Sequence, residues 1–438
     1  MDVPRIARRA LGAVAALALA GPAARAGAQT AGDSICAKAE DPHRRPASCS
    51  TPAGGPVVRL ERTLARDWGG ARSWLAARGI TPTLSLYAAP MTSNTTASGA
   101  RGWSWVNQSD LGLAIDLRKG LGAQGLQLYI GMVSEQGPSL SGKIGNLFDV
   151  QGQSAGYGFW IGEVYLQQTL DGGRLTVAVG RLASNASFGA LPVAVNYLSA
   201  AIQYGNPLSL YINDDAFTAP PPGVQWGAQA AYAFGDGWQL GGGIYNNNPN
   251  SSAGNDHGLE WQLQQGNSGA MIVAQIQRGV NQGAKATGLP GWYAVGGSYD
   301  ANWFATLPDG ASESKGIWQL WAMAQQMVLR GLTLWGAVTY TGRELIAEMP
   351  VDVSGGASWA GAFAARPADI LSAGWYYGNI SSHVPSATAE TVVEVNYQFV
   401  VTGWLTVMPD VQRIWRPAGT TTPIAGATAA GAQVIVVF

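Results

Sequence analysis

Side chains that could carry catalysis are few in this sequence and widely spaced. His43, His257 and His383 have no partners at the spacing of a metal site or a catalytic triad, and no G-x-S-x-G or P-loop pattern occurs. Asp214 and Asp215 are paired carboxylates, but adjacent side chains on an extended chain point apart. Glycoside hydrolysis requires two carboxylates that flank one bond. The sequence therefore predicts a protein that is not an enzyme.

A glycine pattern at Gly120, Gly122 and Gly125 has the G-x-G-x-x-G spacing of a dinucleotide site. Such a site requires a helix directly after the glycines. Residues 127–133 instead alternate between polar and apolar side chains, as a strand does. We interpret the pattern as a hairpin turn, and the sequence predicts no cofactor.

Polar side chains of another kind are regularly arranged near the C-terminus. Residues 390–401 alternate between apolar and polar side chains, so a strand there has one apolar and one polar face. The polar face carries Glu394, Asn396 and Gln398, which can hydrogen-bond water and polar solutes. Either the apolar face covers the core of a soluble sheet, or it faces lipid while the polar face lines a pore.

Two tryptophans fall on the polar faces of other strands by the same alternation. Trp335 shares its parity with Thr333, and Trp321 shares its parity with Gln319 and Gln325. An aromatic ring in a polar lumen can stack on the apolar C–H face of a sugar, whose hydroxyls then bond to neighbouring amides and carboxylates. The alternative is that both rings pack against a loop inside the lumen, and the sequence leaves the two interpretations open.

Strands are the elements that must position these side chains. From Thr81 onward the hydrophobic period is two, and it predicts strands at residues 82–91, 108–118, 124–134, 158–170, 173–182, 222–234, 236–247, 257–264, 270–278, 290–301, 315–328, 331–342, 352–363, 368–379, 390–401, 403–414 and 431–438. One of these candidates is expected to be false, because bacterial single-chain barrels have an even number of strands, here about 16. A short helix between Leu64 and Ile80, with Asp67 as a cap and Gly79 as a stop, is expected to form a plug or collar.

The composition favours strands whose apolar face contacts lipid over strands whose apolar face covers the core of a soluble sheet. The 438 residues are 47% hydrophobic but only 12% charged, about half the charged fraction of an ordinary soluble domain. The 59 glycines and 23 prolines supply turns, and the 17 tryptophans and 15 tyrosines supply the interfacial aromatics of a membrane barrel. No stretch after the N-terminus approaches the roughly 20 apolar residues of a spanning helix. The predicted fold class is all-β, a transmembrane antiparallel β-barrel.

The longest segment without clean alternation lies between Ala183 and Pro222. It has too many aromatic and aliphatic side chains for a disordered linker, so we expect a loop that folds into the lumen and narrows it. The candidate constriction residues are Asn196, Asn213, Asp214 and Asp215. The alternative role for these four residues is that of ordinary turn caps.

The N-terminus has the features of a secretory signal. Arginines at positions 5, 8 and 9 precede an apolar run from Ala10 to Ala20, and the small residues 26–28 provide a cleavage site. Residues 1–28 therefore predict export. Residues 29–58, rich in Ala, Pro, Ser and charge, predict a flexible periplasmic leader, and residues 59–438 are the predicted barrel domain.

The two cysteines, Cys36 and Cys49, lie in the predicted leader. Because an exported chain enters an oxidising compartment, we expect a local disulfide between them. A metal site that includes His43 is the alternative, but these three side chains fall short of the four ligands of tetrahedral zinc.

Several segments of the chain together form a recognisable pattern. They are DWGGARSWLAARGI at 67–80, GEVYLQQTL and LTVAVGRLAS within 162–184, YDANWF and KGIWQLWAMAQQ within 299–326, and WLTVMPDVQRIWRP from 404, followed by the terminal Phe438. With these segments the chain resembles the carbohydrate-selective porins of the OprB family of Gram-negative outer membranes. The resemblance runs in order from about residue 60 to the end.

This resemblance implies a 16-stranded barrel that admits glucose and related sugars by diffusion, without energy or cofactor. The narrow zone of such porins uses arginine with acidic residues, so the resemblance nominates Arg181 and Glu163. Strand alternation, by contrast, gives Arg181 the parity of the outward residues Val177 and Val179.

Charge is compatible with a neutral solute. The formal net charge is -1, which argues against nucleic acid as a partner, and there is no excess of basic residues such as an anion filter would use. We predict an outer-membrane porin for passive diffusion of neutral, glucose-like sugars, with its apolar face in outer-membrane lipid. A general diffusion porin and, further off, a soluble secreted β-rich carbohydrate-binding protein are the alternatives. A monomer and a homotrimer both fit the sequence.

Overall fold

A closed barrel of antiparallel strands makes up the fold. The computed structural model describes residues 62–152, 157–203, 209–214, 216–217, 223–248, 257–258, 269–282 and 286–438. The predicted signal segment, the predicted leader and both cysteines lie outside the described residues. Within that part of the chain there are sixteen strands; each pairs with its neighbours in sequence, and the first pairs with the last.

The strands are β1 (Ile80–Ser93), β2 (Gly102–Asp116), β3 (Leu126–Gln136), β4 (Gly158–Leu170), β5 (Leu175–Leu182), β6 (Gln225–Gly235), β7 (Trp238–Asn246), β8 (Ala270–Val280), β9 (Gly291–Ala305), β10 (Glu313–Leu329), β11 (Leu332–Thr341), β12 (Val351–Ala360), β13 (Ile370–Asn379), β14 (Ala389–Val400), β15 (Leu405–Trp415) and β16 (Gly426–Val437). Closure leaves no strand edge unpaired, which lipid requires because it cannot hydrogen-bond an exposed backbone. The predicted antiparallel barrel of about 16 strands is confirmed.

One predicted strand has no place in the barrel. β7 pairs directly with β8, from Trp238 opposite Arg278 to Asn246 opposite Ala270. The candidate at 257–264 falls between these two strands in sequence. Its first two residues, His257 and Gly258, lie in a turn, and its remaining residues lie outside the described part of the chain.

The alternation of side chains separates the two faces of the barrel wall as the sequence predicts. Outward aliphatic side chains are exposed over the middle of the strands; they include Leu166, Val179, Leu240, Ile244, Ile272, Val295, Leu320, Leu334, Val395 and Val411. Inward neighbours such as Gln167, Gln275 and Gln412 are polar and buried. The outer face is therefore suited to lipid and the inner face to water and polar solutes.

The two ends of the barrel differ in the length of their connections. At one end, here called the short-turn end, β6 joins β7 through residues 236–237 and β10 joins β11 through residues 330–331. A short helix, α2 (Leu117–Leu121), lies in the β2–β3 connection at this end. At the opposite, long-loop end, residues 137–157 join β3 to β4 and contain α3 (Ser141–Ile144), and residues 183–224 join β5 to β6.

A helical segment lies beside the strand ends at the short-turn end. It consists of a 3₁₀ turn (Trp68–Gly70) and α1 (Ala71–Ala77), and the Ser73 amide donates to the Asp67 carboxylate at 2.9 Å. Its buried Arg72 donates to the Thr63 hydroxyl at 3.0 Å and to the Phe438 carbonyl oxygen. The short N-terminal helix is confirmed, and these contacts fit the collar rather than the plug. No helix in the described ranges is long and apolar enough to cross a membrane.

The packed core lies inside the barrel, not between layers. The β5–β6 loop carries short helical turns at Ser184–Ala186 and Pro192–Asn196, followed by α4 (Ala200–Gln203) and α5 (Ser209–Asn213). Apolar side chains of this loop are buried against the inner wall; they are Phe188, Leu191, Val193, Tyr197, Leu198, Ile202, Leu210 and Phe217. Burial of these side chains drives the loop inward and explains its high apolar content. The predicted inward constriction loop is confirmed.

Candidate functional site: the narrowed barrel interior

The constriction loop, residues 183–224, is hydrogen-bonded to one side of the inner wall. Gln275 of β8 accepts from the Gly189 amide at 2.9 Å, and Gln325 of β10 accepts from the Val193 amide at 2.8 Å. Further along the loop, the Gln319 amide group donates to the Leu210 carbonyl oxygen at 3.2 Å. The wall glutamines thus satisfy backbone groups that a buried loop would otherwise leave unpaired.

The polar face of β14 serves the same loop. Glu394 accepts from the Leu198 amide at 2.6 Å and from the Ser199 amide at 2.9 Å, directly before α4 begins. Asn396 and Gln398 both donate to the Asn196 carbonyl oxygen, at 3.0 and 3.1 Å. The three β14 side chains point inward as alternation predicts, but they are buried and hold the loop rather than facing open water. Solutes in the lumen meet other side chains.

Trp335 and Tyr197 form one contact between wall and loop. The Trp335 indole donates to the Tyr197 hydroxyl at 2.8 Å, and the ring centroids are 5.5 Å apart at 71°. Gly374 on β13 leaves room for the tyrosine, because a Cβ atom at that position would lie 2.8 Å from the Tyr197 ring. Of the two roles left open for Trp335, these contacts favour packing against the loop.

Trp321 is packed in a similar way and is fully buried. Its indole donates to Gln275 at 2.9 Å, and its ring lies edge-on to Phe217 of the loop, with centroids 5.6 Å apart. No face of the Trp321 ring is left for a sugar. Stacking of a sugar on Trp321 does not fit this structure, because the loop occupies the position that the sugar would take.

The candidate constriction residues at the end of the loop are anchors. Asn213 donates to the Met349 carbonyl oxygen at 2.7 Å and accepts from the Met349 amide at 3.0 Å, in the connection from β11 to β12. Asp214 accepts from the Ala216 amide at 2.9 Å and is also buried. Both residues therefore fit the capping role that the sequence left as the alternative. Asp215 lies outside the described residues.

Arg181 and Glu163 lie on opposite faces of the wall. Arg181 pairs with Val164 and Trp226 and shares its parity with exposed Val179, so its side chain starts from the outward face. Its guanidinium donates to the carbonyl oxygens of Ile161, at 3.3 Å, and of Gly258. Strand alternation thus gave the face from which the Arg181 side chain starts, and the side chain is then buried. The register does not place Arg181 on the same face as Glu163, as the family resemblance had suggested.

Glu163 belongs to an inward group on β2, β3 and β4. The register places Tyr129 opposite Tyr165, with ring centroids 5.2 Å apart and an interplanar angle of 34°. On β2, Gln108 donates to Asp110 at 2.6 Å. Asp110 and both tyrosines are only half-buried while they point inward, so part of each is accessible from the lumen.

A second accessible group consists of glutamines on β6, β7 and β8. Gln277 donates to Gln239 at 2.6 Å, and Gln275 donates to Gln277 at 2.9 Å. Nearby, the Tyr245 hydroxyl donates to Gln229 at 2.5 Å. Gln229, Gln239 and Gln277 are half-buried and point inward. Sequence reasoning did not propose them as site residues, although each is a glutamine at inward parity in one of the predicted strands 222–234, 236–247 and 270–278, which was a usable signal.

The described residues contain no group of three or more His, Cys, Asp or Glu side chains that could hold a metal ion. The acidic side chains of the interior instead accept hydrogen bonds from loop amides and wall amides, as Glu394 and Asp110 do. The interior is built to hold a loop and to present amides, hydroxyls and aromatic rings to the remaining space.

A closed antiparallel barrel with a lipid-compatible exterior, a polar interior and an inward loop defines a porin, a channel of the outer membrane. The chain belongs to the carbohydrate-selective porin, OprB family, whose sequence profile matches residues 101–438. It is therefore an outer-membrane sugar porin, and its family and fold point to a channel rather than an enzyme.

Individual relatives agree with this membership. The chain is 26% identical to Porin B of Pseudomonas aeruginosa over 85% of its own length and 90% of that protein. It is 25% identical to the putative porin QuiX of Acinetobacter baylyi, over 81% and 88% of the two chains. The high-pH structure of Pseudomonas putida OprB superposes with a TM-score of 0.78 at 22% identity, and covers 86% of this chain and 99% of that one.

Proposed function

We propose that this porin lets neutral, glucose-like sugars diffuse passively across the outer membrane into the periplasm. One observation carries the proposal: the lumen-accessible side chains of β6, β7 and β8 are the uncharged amides of Gln229, Gln239 and Gln277. A primary amide both donates and accepts hydrogen bonds, as a sugar hydroxyl does. A sugar can therefore exchange its bound water for these amides without the cost of pairing a charge.

The tyrosines of β3 and β4 add an apolar surface next to this group. Tyr129 and Tyr165 are half-buried on the inner wall, and an aromatic ring can cover the C–H face of a sugar. Each of these contacts is individually weak. Weak contacts suit a diffusion pore, because the solute must leave as readily as it enters.

The orientation of the barrel in the membrane follows from the different lengths of the connections at its two ends. Outer-membrane barrels place short turns in the periplasm and longer loops outside the cell. By that rule the constriction loop enters from the extracellular side, and α1 lies at the periplasmic end. Export through a signal segment at 1–28, a flexible leader at 29–58 and a disulfide between Cys36 and Cys49 remain parts of the proposal that concern residues outside the described ranges.

The proposal is tested by reconstituting the mature protein in a planar bilayer. Single-channel current is recorded while glucose, a disaccharide and a charged sugar acid are titrated in turn. Current that falls saturably with glucose supports a selective sugar pore. Conductance that no sugar reduces identifies a general diffusion porin and contradicts the proposed selectivity.

A further inference from the structure

The acidic side chains of the barrel wall lie mostly on its inner face, and its basic side chains lie on the outer face; Glu313 at the start of β10 is the acidic exception. Acidic strand residues with inward parity are Asp110, Asp116, Glu135, Glu163, Asp300, Asp352, Glu390, Glu394 and Asp410. Among the described strand residues, no lysine or arginine shares that parity. Asp110 and Asp116 are partly exposed and the other carboxyl groups are buried, so the described inward face of the strands carries only neutral or acidic side chains.

The basic strand residues all have outward parity and lie beside tryptophans. Arg278 lies 5.2 Å from the Trp238 ring, Arg413 lies 5.5 Å from Trp415, and the Lys315 ammonium lies 5.9 Å from Trp303. Arg181 lies opposite Trp226, but its side chain is buried and donates to the carbonyl oxygens of Ile161 and Gly258. Cations and tryptophans together are typical of the membrane interface, where they contact water and headgroups. Arg278, Arg413 and Lys315 fit that position and therefore do not offset the acidic groups inside.

The constriction loop repeats the pattern independently of the strands. Its sequence, residues 183–224, contains no lysine, arginine or histidine, and its two charged residues are Asp214 and Asp215. In the neighbouring loop 137–157, Lys143 is exposed at the long-loop end and donates to the Trp103 carbonyl oxygen. At the short-turn end, Arg174 and Arg366 form ion pairs of 2.8 Å with Asp171 and Asp369.

We infer that this pore is selective for cations over anions, so that among sugars it admits neutral ones and disfavours sugar acids. A narrow channel with low-dielectric walls concentrates ions of opposite sign and repels those of like sign. Acidic rings are the usual filter of cation channels. The part of the inference that concerns sugars rests on the proposed sugar-porin function. The part that concerns ion selectivity rests only on the separation of acidic and basic side chains between the two faces of the wall.

Ion selectivity is measured without any sugar, as the reversal potential of the reconstituted channel under a KCl gradient. The expected sign corresponds to a K⁺ permeability several-fold above that of Cl⁻. A channel that prefers Cl⁻, or that shows no reversal potential, would overturn the inference. Because the sugar-block experiment is separate, a cation-selective channel that glucose does not block would sink the proposed function alone.

Two substitutions test the assignment to the wall. Asp110→Asn removes the half-exposed inward carboxylate and should move the reversal potential towards zero. Gln229→Arg places a cation on the inner face of β6, four strands along the wall from β2, and should move it further towards the anion side. Asp236→Asn makes the same charge change in the exposed β6–β7 turn and should leave the potential unchanged. Unaltered selectivity in both wall variants, with normal channel formation, would also overturn the inference.

Discussion

The Glu394 carboxylate on β14 accepts a 2.6 Å hydrogen bond from the Leu198 amide of the constriction loop. The two residues are 196 positions apart in the sequence, and their contact joins the far wall of the barrel to a loop that starts at β5. Glu394 accepts from the Ser199 amide as well, so one side chain fixes the start of α4. We expect the width of the channel to depend on this attachment.

Removal of the Glu394 carboxylate should widen the pore. Glu394→Ala leaves two buried amides without acceptors, at a cost of about 1–3 kcal/mol each, so the loop should detach from β14 at Leu198 and Ser199 and remain bound there through Asn196. We expect a larger and noisier single-channel conductance and a weaker glucose block. The control is Glu313→Ala, which removes an exposed carboxylate at the start of β10. A conductance equal to that of the wild type would show that the loop is held by its other contacts.

Replacement of the lumen glutamines should weaken sugar binding. Gln277→Ala removes an amide from the accessible group, and a neutral hydrogen bond contributes about 0.5–1.5 kcal/mol. The glucose concentration that halves the current should therefore rise about 2- to 10-fold. Gln326→Ala is the matched control, because Gln326 bonds to Tyr293 on the outward face of β9 and β10. An equal effect of both variants would argue against a sugar contact at Gln277.

Trp321 should affect stability more than sugar block. Trp321→Ala empties a fully buried site against Phe217 and should cost about 3–5 kcal/mol of unfolding free energy. Trp321→Phe keeps most of the volume but loses the hydrogen bond to Gln275, so the midpoint of glucose block should stay within about twofold of wild type. Thermal unfolding in detergent and current block measure the two effects. A strong loss of block in Trp321→Phe would restore the stacking role.

The loop between β3 and β4 should respond to pH through Asp149. Burial raises the pKa of the Asp149 carboxyl to about 6, while a hydrogen bond with Ser139 acts in the opposite direction. An aspartate in an unfolded chain has a pKa of about 3.9. The protonated carboxyl therefore favours the folded state fully below about pH 4, and this contribution is lost as the pH rises to about 6.

Asp149→Asn should remove that pH dependence. Relative to the wild type, the variant should gain about 3 kcal/mol above about pH 7 and gain nothing near pH 4, as measured by thermal unfolding in detergent. Asp309→Asn in the exposed β9–β10 loop provides a control for the change of charge. The same pH profile in wild type and Asp149→Asn would contradict the assignment.

Much of the fold could be predicted because the alternation of apolar and polar side chains along the sequence indicates both the strands and the two faces of each strand. Residues 390–401 specify which side chains of β14 point inward, and the loop after β5 is too apolar to remain in water. The partners of the inward side chains could not be predicted in this way. Alternation gives the direction of Glu394 or Trp335, but what each one meets depends on a loop far away in the sequence.

Arg181 illustrates the opposite case. The family resemblance suggested a lumen role for it, whereas its parity with Val177 and Val179 indicated the outer face, and the register of β4, β5 and β6 agrees with the parity. A local physical rule was more reliable here than a motif, because a motif conveys residue type while the pleat of the strand fixes the side on which the residue lies.

The seam between β1 and β16 makes the two ends of the barrel domain depend on each other. Ser85 lies opposite Val437, and the Leu64 amide donates to the Val437 carbonyl oxygen at 2.8 Å. Insertion therefore cannot finish strand by strand from one end, since the first strand keeps an open edge until the last one arrives. A truncated chain that lacks β16 would form a sheet with two unpaired edges. We expect such a chain to be degraded by periplasmic proteases and not to form a smaller channel.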